Sequence, residues 1–428
     1  MEAPRAGRSI ERGRGDGAAD VVWLVAGSSL SGIAVYAYAA IGSRTLGAAG
    51  FAPISVIWTA WAITAAALAF PIQHWVIRRL HADPTEAGIR RAIPVLSGLA
   101  AALGAMAGTG GWIARETLFR DPGTTYPIVL GAIVAGAVGM GLLRGSLAGR
   151  GRFAATAGAL AGENLIRVAL AALGAAAGWG PSAFAFSLVA GYAVAFLWPS
   201  AFRFGRAPGE HALQLGFLTG VAFGSLLAQT VLTGGPIALA LLRAPSHDIT
   251  NLFVTLALFR APYVVATGVA SRITGTLTRW VLEHRTDRIR WFSLSTLAGT
   301  AAAAIVGAAA GASFVPPLLR LLFGADIDVP RSVAAIVGTG AGLALGTMAL
   351  GLLLIGRARG DLVTRAWTVG LATSIVWSAV GPCAPLMRVA VAFLAGEAVA
   401  LVTMSILEAR MRAQSSAEGQ MLEPEAGG

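Results

Sequence analysis

Twelve times along this chain a run of about twenty apolar residues is followed by a short connection, and no other feature constrains its fold as tightly. A helix rises about 1.5 Å per residue, so such a run crosses the roughly 30 Å of bilayer hydrocarbon. Within that layer every backbone amide must be bonded inside its own segment, which selects helices. The runs fall at about 21–42, 51–76, 93–114, 125–147, 155–178, 182–201, 213–241, 250–271, 292–313, 332–355, 363–381 and 386–407. With 56% hydrophobic and 12% charged residues and a mean hydropathy of +0.71, the chain lies far from a soluble domain. The fold class read from this is an all-α polytopic membrane protein with about 12 transmembrane helices.

All 32 basic residues are arginine, and they are sorted by position. Counting connections alternately, one set together with both tails carries 23, the opposite set 6, and the spans 3. Cytoplasmic connections hold the excess of positive charge, so both termini are expected in the cytoplasm of a bacterial plasma (inner) membrane protein. The alternation holds for twelve spans, and one span more or fewer breaks it downstream. The net charge of +11 therefore reads as topology, with no nucleic-acid partner expected. Residues 1–20, with Arg5, Arg8, Arg12 and Arg14, lack the apolar core of a signal peptide and read as a cytoplasmic tail. Residues 411–428, rich in Ser, Glu and Gly, read as a disordered tail.

Domain organisation follows from the count. Residues 21–206 and 207–410 each supply six spans, an even number, so the halves share orientation as in parallel-repeat transporters. A faint internal echo supports the pairing. Arg44 lies between the first two spans and Arg243 between the seventh and eighth, and each following span carries a proline, Pro71 and Pro262. Glycines such as Gly104 and Gly108 are expected to let helices approach closely. The Gly234-Gly-Pro236 run predicts a broken seventh span.

Several chemistries are excluded. Without lysine there is no P-loop and no Schiff base. The single cysteine, Cys383, excludes an internal disulfide and a cysteine metal cluster, and reads as a small apolar filler. His74 and His247 lack metal-ligand spacing, so neither a metal nor a cofactor is expected. No connection is long enough for a catalytic domain, and the chain is not expected to be an enzyme. The longest outward connection, 314–331, holds Pro316, Pro317 and the apolar run Leu318–Phe323, an interfacial amphipathic turn.

Three stretches carry a family resemblance. Arg44-Thr-Leu-Gly-Ala-Ala-Gly-Phe51 resembles the R-x-L-G signature of polysaccharide flippases. Leu143-Arg-Gly-Ser-Leu-Ala-Gly-Arg-Gly-Arg-Phe153 resembles their loop after the fourth span, and Leu321-Leu-Phe-Gly-Ala-Asp326 their LLFG before the tenth. The chain is thus similar to the polysaccharide flippase family of the multidrug/oligosaccharidyl-lipid/polysaccharide exporter superfamily. The resemblance implies two six-helix bundles forming a V-shaped central cavity. It also implies translocation of polyprenyl-diphosphate-linked oligosaccharide by alternating access, for cell-surface polysaccharide. Implied partners are the lipid-linked saccharide, membrane lipids, and glycosyltransferases or a polymerase of the same pathway. The lipid II branch of the family has an Arg-Asp pair after the first signature and usually fourteen spans. Here Ala48, Ala49, Gly50 and Phe51 follow Gly47, which favours the exported-polysaccharide role. A cation-coupled small-molecule exporter of the same superfamily is the alternative. A membrane glycosyltransferase or polymerase is a further one, disfavoured because the outward connections bearing Asp121, Asp248, Asp326 and Asp328 are short.

Charges inside spans are where membrane burial costs most, about 2.5–3.5 kcal/mol each on insertion scales. Glu163 and Arg167 are i, i+4 neighbours in the fifth span, roughly 12 and 18 Å deep. One reading is a self-neutralised structural pair; the other, with Asn164 beside them, is a polar strip in the cavity. Arg260, roughly 15 Å into the eighth span, either binds the substrate's diphosphate or pairs with Glu397, roughly 16 Å into the twelfth. Arg388, near the outer end of the twelfth span, is expected to snorkel. Arg44 is either a structural turn residue or part of an exit-side phosphate site. The candidate substrate-binding residues are therefore Arg260, Arg44, Arg167 and Asn164, and the candidate ion-coupling carboxylates Glu163 and Glu397.

Overall fold

The computed structural model describes residues 13–82, 86–205, 215–283, 285–357 and 359–421. Among them every regular element is helical, and the chain is an all-α polytopic membrane protein. Arg5, Arg8, Arg12, Arg206 and residues 422–428 of the C-terminal tail lie outside the described residues.

Besides the short helices Arg115–Leu118, Pro199–Phe202 and Val315–Phe323, the described helices fall into twelve successive stretches. The first, α1, is the opening arm of Gly13–Thr64, which turns at Gly47; α2 is its second arm, continued through a π turn at Ala65–Ala69 into Phe70–Ala82. Then come α3 (Ala87–Ile113), α4 (Thr125–Gly149) and α5 (Phe153–Ala176). The sixth, α6, is Pro181–Ala190 drawn out by the 3-10 turns Gly191–Leu197. Two stretches are interrupted: α7 (Leu215–Thr233 and Gly235–Leu241) and α8 (Ser246–Phe259 and Ala261–Leu282). The last four are α9 (Thr286–Ser313), α10 (Arg331–Gly356), α11 (Gly360–Val380) and α12 (Pro385–Met421). Seven runs are long and apolar enough to cross a bilayer alone, one of them the 60-residue Val22–His81 that holds both α1 and α2, and the bent α7 makes an eighth.

Each interruption has a local cause. The connection expected at 43–50 is absent, because α1 passes into α2 through the single residue Gly47 at φ 70°, ψ 170°. That left-handed backbone is open to glycine and strained for other residues. In α2 the π turn ends directly before Phe70-Pro71, where a proline lacks an N–H for the helix ladder. Pro262 has the same effect in α8, which stops at Phe259 and restarts at Ala261. The sequence echo between Pro71 and Pro262 is thus an echo of helix breaks. In α7 the predicted break is present, with a 70° bend at Gly234. Helix also begins at Gly13, inside the expected N-terminal tail, and α12 runs to Met421, through part of the tail expected to be disordered. An i, i+4 ion pair between Arg412 and the buried Glu408 supports that extension, at 2.8 Å.

The chain divides into two compact units. Unit 1 comprises 1–46, 64–116 and 120–219; unit 2 comprises 47–63, 117–119 and 220–428. In unit 1, Ile72 and Trp75 of α2, Ile89 and Leu96 of α3 and Val138 and Leu142 of α4 form one buried cluster. Lipid tails are as apolar as these side chains, so close van der Waals packing and polar bonds hold the helices together. Gly104 and Gly131 are where α3 and α4 come closest: a Cβ on either lies 2.8 Å from the other's carbonyl oxygen. Arg150, in the α4–α5 turn, ties several connections together. It grips the Glu86 carboxylate with Nε at 3.1 Å and Nη2 at 2.9 Å, and donates to the carbonyls of Ser200 and Arg203 after α6.

Unit 2 repeats the glycine crossing. Gly307 of α9 and Gly338 of α10 meet backbone to backbone, a Cβ on Gly307 lying 2.2 Å from the Gly338 oxygen. Leu277 of α8, Ile289 of α9 and Leu353 of α10 form a buried cluster, and Arg357, just after α10, reaches Glu408 of α12 at 3.2 Å. The N-terminal half of α2 belongs to this unit, where Phe51 and Trp58 pack around Phe253 of α8 with centroids 6.1 and 6.4 Å away.

Candidate functional site

Buried polar clusters centre on three carboxylates, Glu163 in unit 1 and Glu397 and Glu408 in unit 2, and the candidates read from the sequence fall in the first two. In unit 1, α5 turns Glu163, Asn164 and Arg167 to the interior, and all three are buried. The predicted i, i+4 pair is present, with Arg167 Nη2 2.5 Å from Glu163 Oε1. Arg167 is bonded at both ends of its guanidinium: Nε donates to the Leu188 carbonyl at 3.0 Å and Nη1 to Asn164 Oδ1 at 3.1 Å. Its carbon Cζ lies 5.6 Å from the centre of the Tyr192 ring. Asn164 Nδ2 donates in turn to Ser31 Oγ of α1 at 2.8 Å. Gly191 makes room for this arrangement, since a Cβ there meets Arg167 Nε at 2.6 Å.

A third charge completes the cluster. Arg144 of α4 donates Nη2 to Glu163 Oε2, so one carboxylate answers two guanidinia. The sequence placed Arg144 with the loop arginines, yet it is buried five residues before the end of α4. Nothing in the apolar pattern separates a terminal-turn arginine that points to solvent from one that turns inward.

The Glu397 cluster of unit 2 is sparser. Glu397 of α12 is 0% exposed. Its Oε2 accepts a bond from Thr347 Oγ1 of α10 at 3.0 Å, while Oε1 is buried with no hydrogen-bond partner. Glu397 and Arg260 both act electrostatically on the hydroxyl of Tyr263, which lies on α8 beyond Pro262. The ion pair between Arg260 and Glu397 weighed from the sequence is not formed among the described residues; Thr347 takes that place. Arg260 is half-buried at the break in α8, capping one half-helix and opening the next, and its amide donates to Leu256 and Ala257. Tyr263 and Thr347 carried no sequence signal, because a hydroxyl on an apolar helix is commonplace.

The remaining candidates lie apart. Arg44 is exposed, three residues before the Gly47 turn. Arg388 behaves as an end-of-span residue, donating Nε to the carbonyl of Cys383 at 3.1 Å. His74 donates Nδ1–H to the Phe70 carbonyl within its own helix at 2.8 Å, and His247 lies 3.3 Å from Asp248. Among the described residues no group of three or more His, Cys, Asp or Glu side chains is placed to hold a metal.

Two of the sequence stretches that carry the family resemblance converge in unit 2. A Cβ on Gly47 would lie 3.1 Å from Asp326 Oδ2. Neighbouring residues of α8 hold the first stretch and the chain just past the second: Thr250 Oγ1 donates to the Ala48 carbonyl at 2.6 Å, and Asn251 Nδ2 to the carbonyl of Asp328, two residues beyond Asp326, at 2.9 Å.

No family model matches the chain, and neither does any curated protein sequence. Solved structures do. A multidrug resistance MATE family transporter of the MOP superfamily in an inward-facing conformation aligns with 91% of this chain and 96% of its own, at TM-score 0.68 and 16% identity. An outward-facing structure of such a transporter aligns at TM-score 0.58 and 17% identity, covering 93% and 95%. A MOP superfamily transporter from Pyrococcus furiosus, described as having a binding pocket of reverse polarity, aligns at TM-score 0.60 and 16% identity over 92% and 95%. At this identity the likeness is one of fold: the chain has the fold of these transporters along almost its whole length.

Proposed function

We propose that this protein is a cation-coupled secondary exporter of small molecules that works by alternating access, with Glu397 as the coupling group. The observation that carries the reading is Glu397 itself, wholly buried with one carboxylate oxygen unpartnered, in a fold that other proteins use in inward- and outward-facing forms. A lone carboxylate in such a place is costly as an anion, and a bound proton or sodium ion removes the cost. A conformational change that opens Glu397 to one side and then the other couples that cation to the cargo, because only differential binding shifts the equilibrium. Glu163 suits the task less, since two guanidinia already neutralise it. The broken helices α7 and α8 supply places where a span can bend. The arginine sorting supports a bacterial inner membrane setting with both termini cytoplasmic.

The test is efflux of a fluorescent drug such as ethidium from proteoliposomes carrying the purified protein, with an imposed proton or sodium gradient. Wild type is expected to export only while a gradient is present, and Glu397→Gln to lose that dependence. Gradient-independent export by wild type sinks the coupling role.

A second reading is favoured by the meeting of Gly47 with Asp326, since both stretches resemble polysaccharide flippase signatures. In it the cargo is a polyprenyl-diphosphate-linked oligosaccharide, and the partners are membrane lipids and the glycosyltransferases or polymerase of that pathway. Leaflet transfer of a fluorescent lipid-linked sugar in the same proteoliposomes, without ethidium export, selects it.

A further inference from the structure

The arginines at the ends of the unit 2 helices sort by whether a carboxylate answers them. Arg357 and Arg412 share Glu408, Arg359 and Arg365 share Asp361, and Arg285 reaches Glu283 at 3.2 Å. Arg279, Arg288, Arg290 and Arg410 are exposed, and among the described residues none of them pairs with a carboxylate. Three of these four lie at the passage from α8 into α9. Asp287 lies there too, but it occupies the first turn of α9, where the helix N-terminus favours a carboxylate.

Apolar surface adjoins these charges. The guanidinium carbon of Arg288 lies 5.9 Å from the centre of the Trp280 ring. One turn further, Trp291 is 68% exposed, and Arg288, Trp291 and the exposed Leu294 follow at spacings of three on one helix face. Exposed apolar residues continue along α9 at Leu297, Ile305 and Val306. Of the runs able to cross a bilayer alone, α9 is the least covered by protein, so its outward face meets lipid. Tryptophan favours the headgroup level of a bilayer, which sets Arg288 and Arg290 among the phosphates.

We propose that the start of α9 is a binding site for an anionic phospholipid, with Arg288 and Arg290 on its headgroup, Trp291 beside its glycerol and one acyl chain along Leu294 and Leu297. Charge and continuity select this occupant. A phospholipid carries an anionic head and an apolar tail in the order in which α9 presents arginines and then apolar side chains. An acidic soluble protein would satisfy the arginines and have nothing to set against the apolar run. One leaflet supplies about 15 Å of hydrocarbon, or about ten residues of helix, so a tail that starts at Trp291 passes both leucines. The guanidinium fork matches two phosphate oxygens, and Trp280 holds that of Arg288 in place. A lipid seated there fastens the connection that follows the broken α8, whatever the protein transports.

Native mass spectrometry of the full-length protein in an uncharged detergent counts bound lipids and gives their affinities. The probes are phosphatidylglycerol, phosphatidylcholine with the same tails as the zwitterionic control, and farnesyl diphosphate as an anionic prenyl lipid. Wild type is expected to bind one phosphatidylglycerol about thirtyfold more tightly than phosphatidylcholine, since each arginine beside an anionic headgroup contributes about fivefold. The double variant Arg288→Gln, Arg290→Gln is expected to lose that preference with its melting unchanged, because both positions are exposed. Trp291→Ala is expected to weaken both phospholipids alike. The pair Arg359→Gln, Arg365→Gln removes the same formal charge from arginines that Asp361 already answers, and is expected to leave the preference intact. Wild type without a preference for phosphatidylglycerol, or equal losses in the two double variants, overturns the proposal. Tighter binding of farnesyl diphosphate than of phosphatidylglycerol overturns it too, and assigns the surface to a prenyl-linked cargo.

Discussion

Removing Glu163 and removing Arg144 are unequal operations, although the two are partners in one ion pair. Glu163→Gln leaves two buried guanidinia facing each other, and breaking a buried pair in this manner costs about 3–5 kcal/mol. Arg144→Gln leaves Glu163 with Arg167, a balanced pair 2.5 Å apart. Thermal unfolding in detergent is expected to show a large loss for the first and little or none for the second; equal losses would contradict the sharing of one carboxylate by two guanidinia. The half of this cluster carried on one helix was legible in the sequence, because i, i+4 spacing places Glu163 and Arg167 together whatever the tertiary fold. Arg144 was not, since its partner lies on another helix and only the packing of α4 on α5 turns it inward. Glu408 was missed for the same reason, lying one residue past the expected end of its span and buried against Arg357 and Arg412.

Single helices show where the chain is least forgiving. Gly307 and Gly338 put the backbones of α9 and α10 in contact, and a Cβ on Gly338 lies 2.1 Å from the Gly307 oxygen. The listener for any added carbon is backbone, which cannot swing aside, so Gly338→Ala has to separate the helices. Overpacking of this kind costs about 1–3 kcal/mol, and Gly338→Val is expected to cost more. Yield and melting of the purified variants check this, with Gly110→Ala, which has open space at its Cβ, as the matched control. Equal losses at both positions would refute the close crossing. The role of glycine between helices, and the break at Gly234, follow from composition and local propensity and were readable in advance. The turn at Gly47 was not. A connection of eight residues and a one-residue kink share the same polar-to-apolar pattern, and the difference lies in a backbone angle.

At the scale of the whole molecule, the apolar periodicity is compatible with the described helices because the bilayer imposes it: they follow the twelve expected spans in order, and seven or eight of their runs are long and apolar enough to cross alone. Which end faces the cytoplasm is a separate matter, and Cys383 tests it. This lone, partly exposed thiol lies in the connection between α11 and α12, away from the arginine-rich connections. An impermeant maleimide added to intact cells is expected to label it, and labelling that waits for cell lysis would reverse the proposed orientation. The grip of Arg150 carries one more consequence, for the order of events during synthesis. Its guanidinium finds Glu86 in chain already made, but its other two acceptors, the carbonyls of Ser200 and Arg203, emerge from the ribosome about fifty residues later. Unit 1 is therefore fastened by the segment that follows α6. In unit 2 the Arg357–Glu408 bond waits likewise for α12, so the nascent protein has two closing moments and not one.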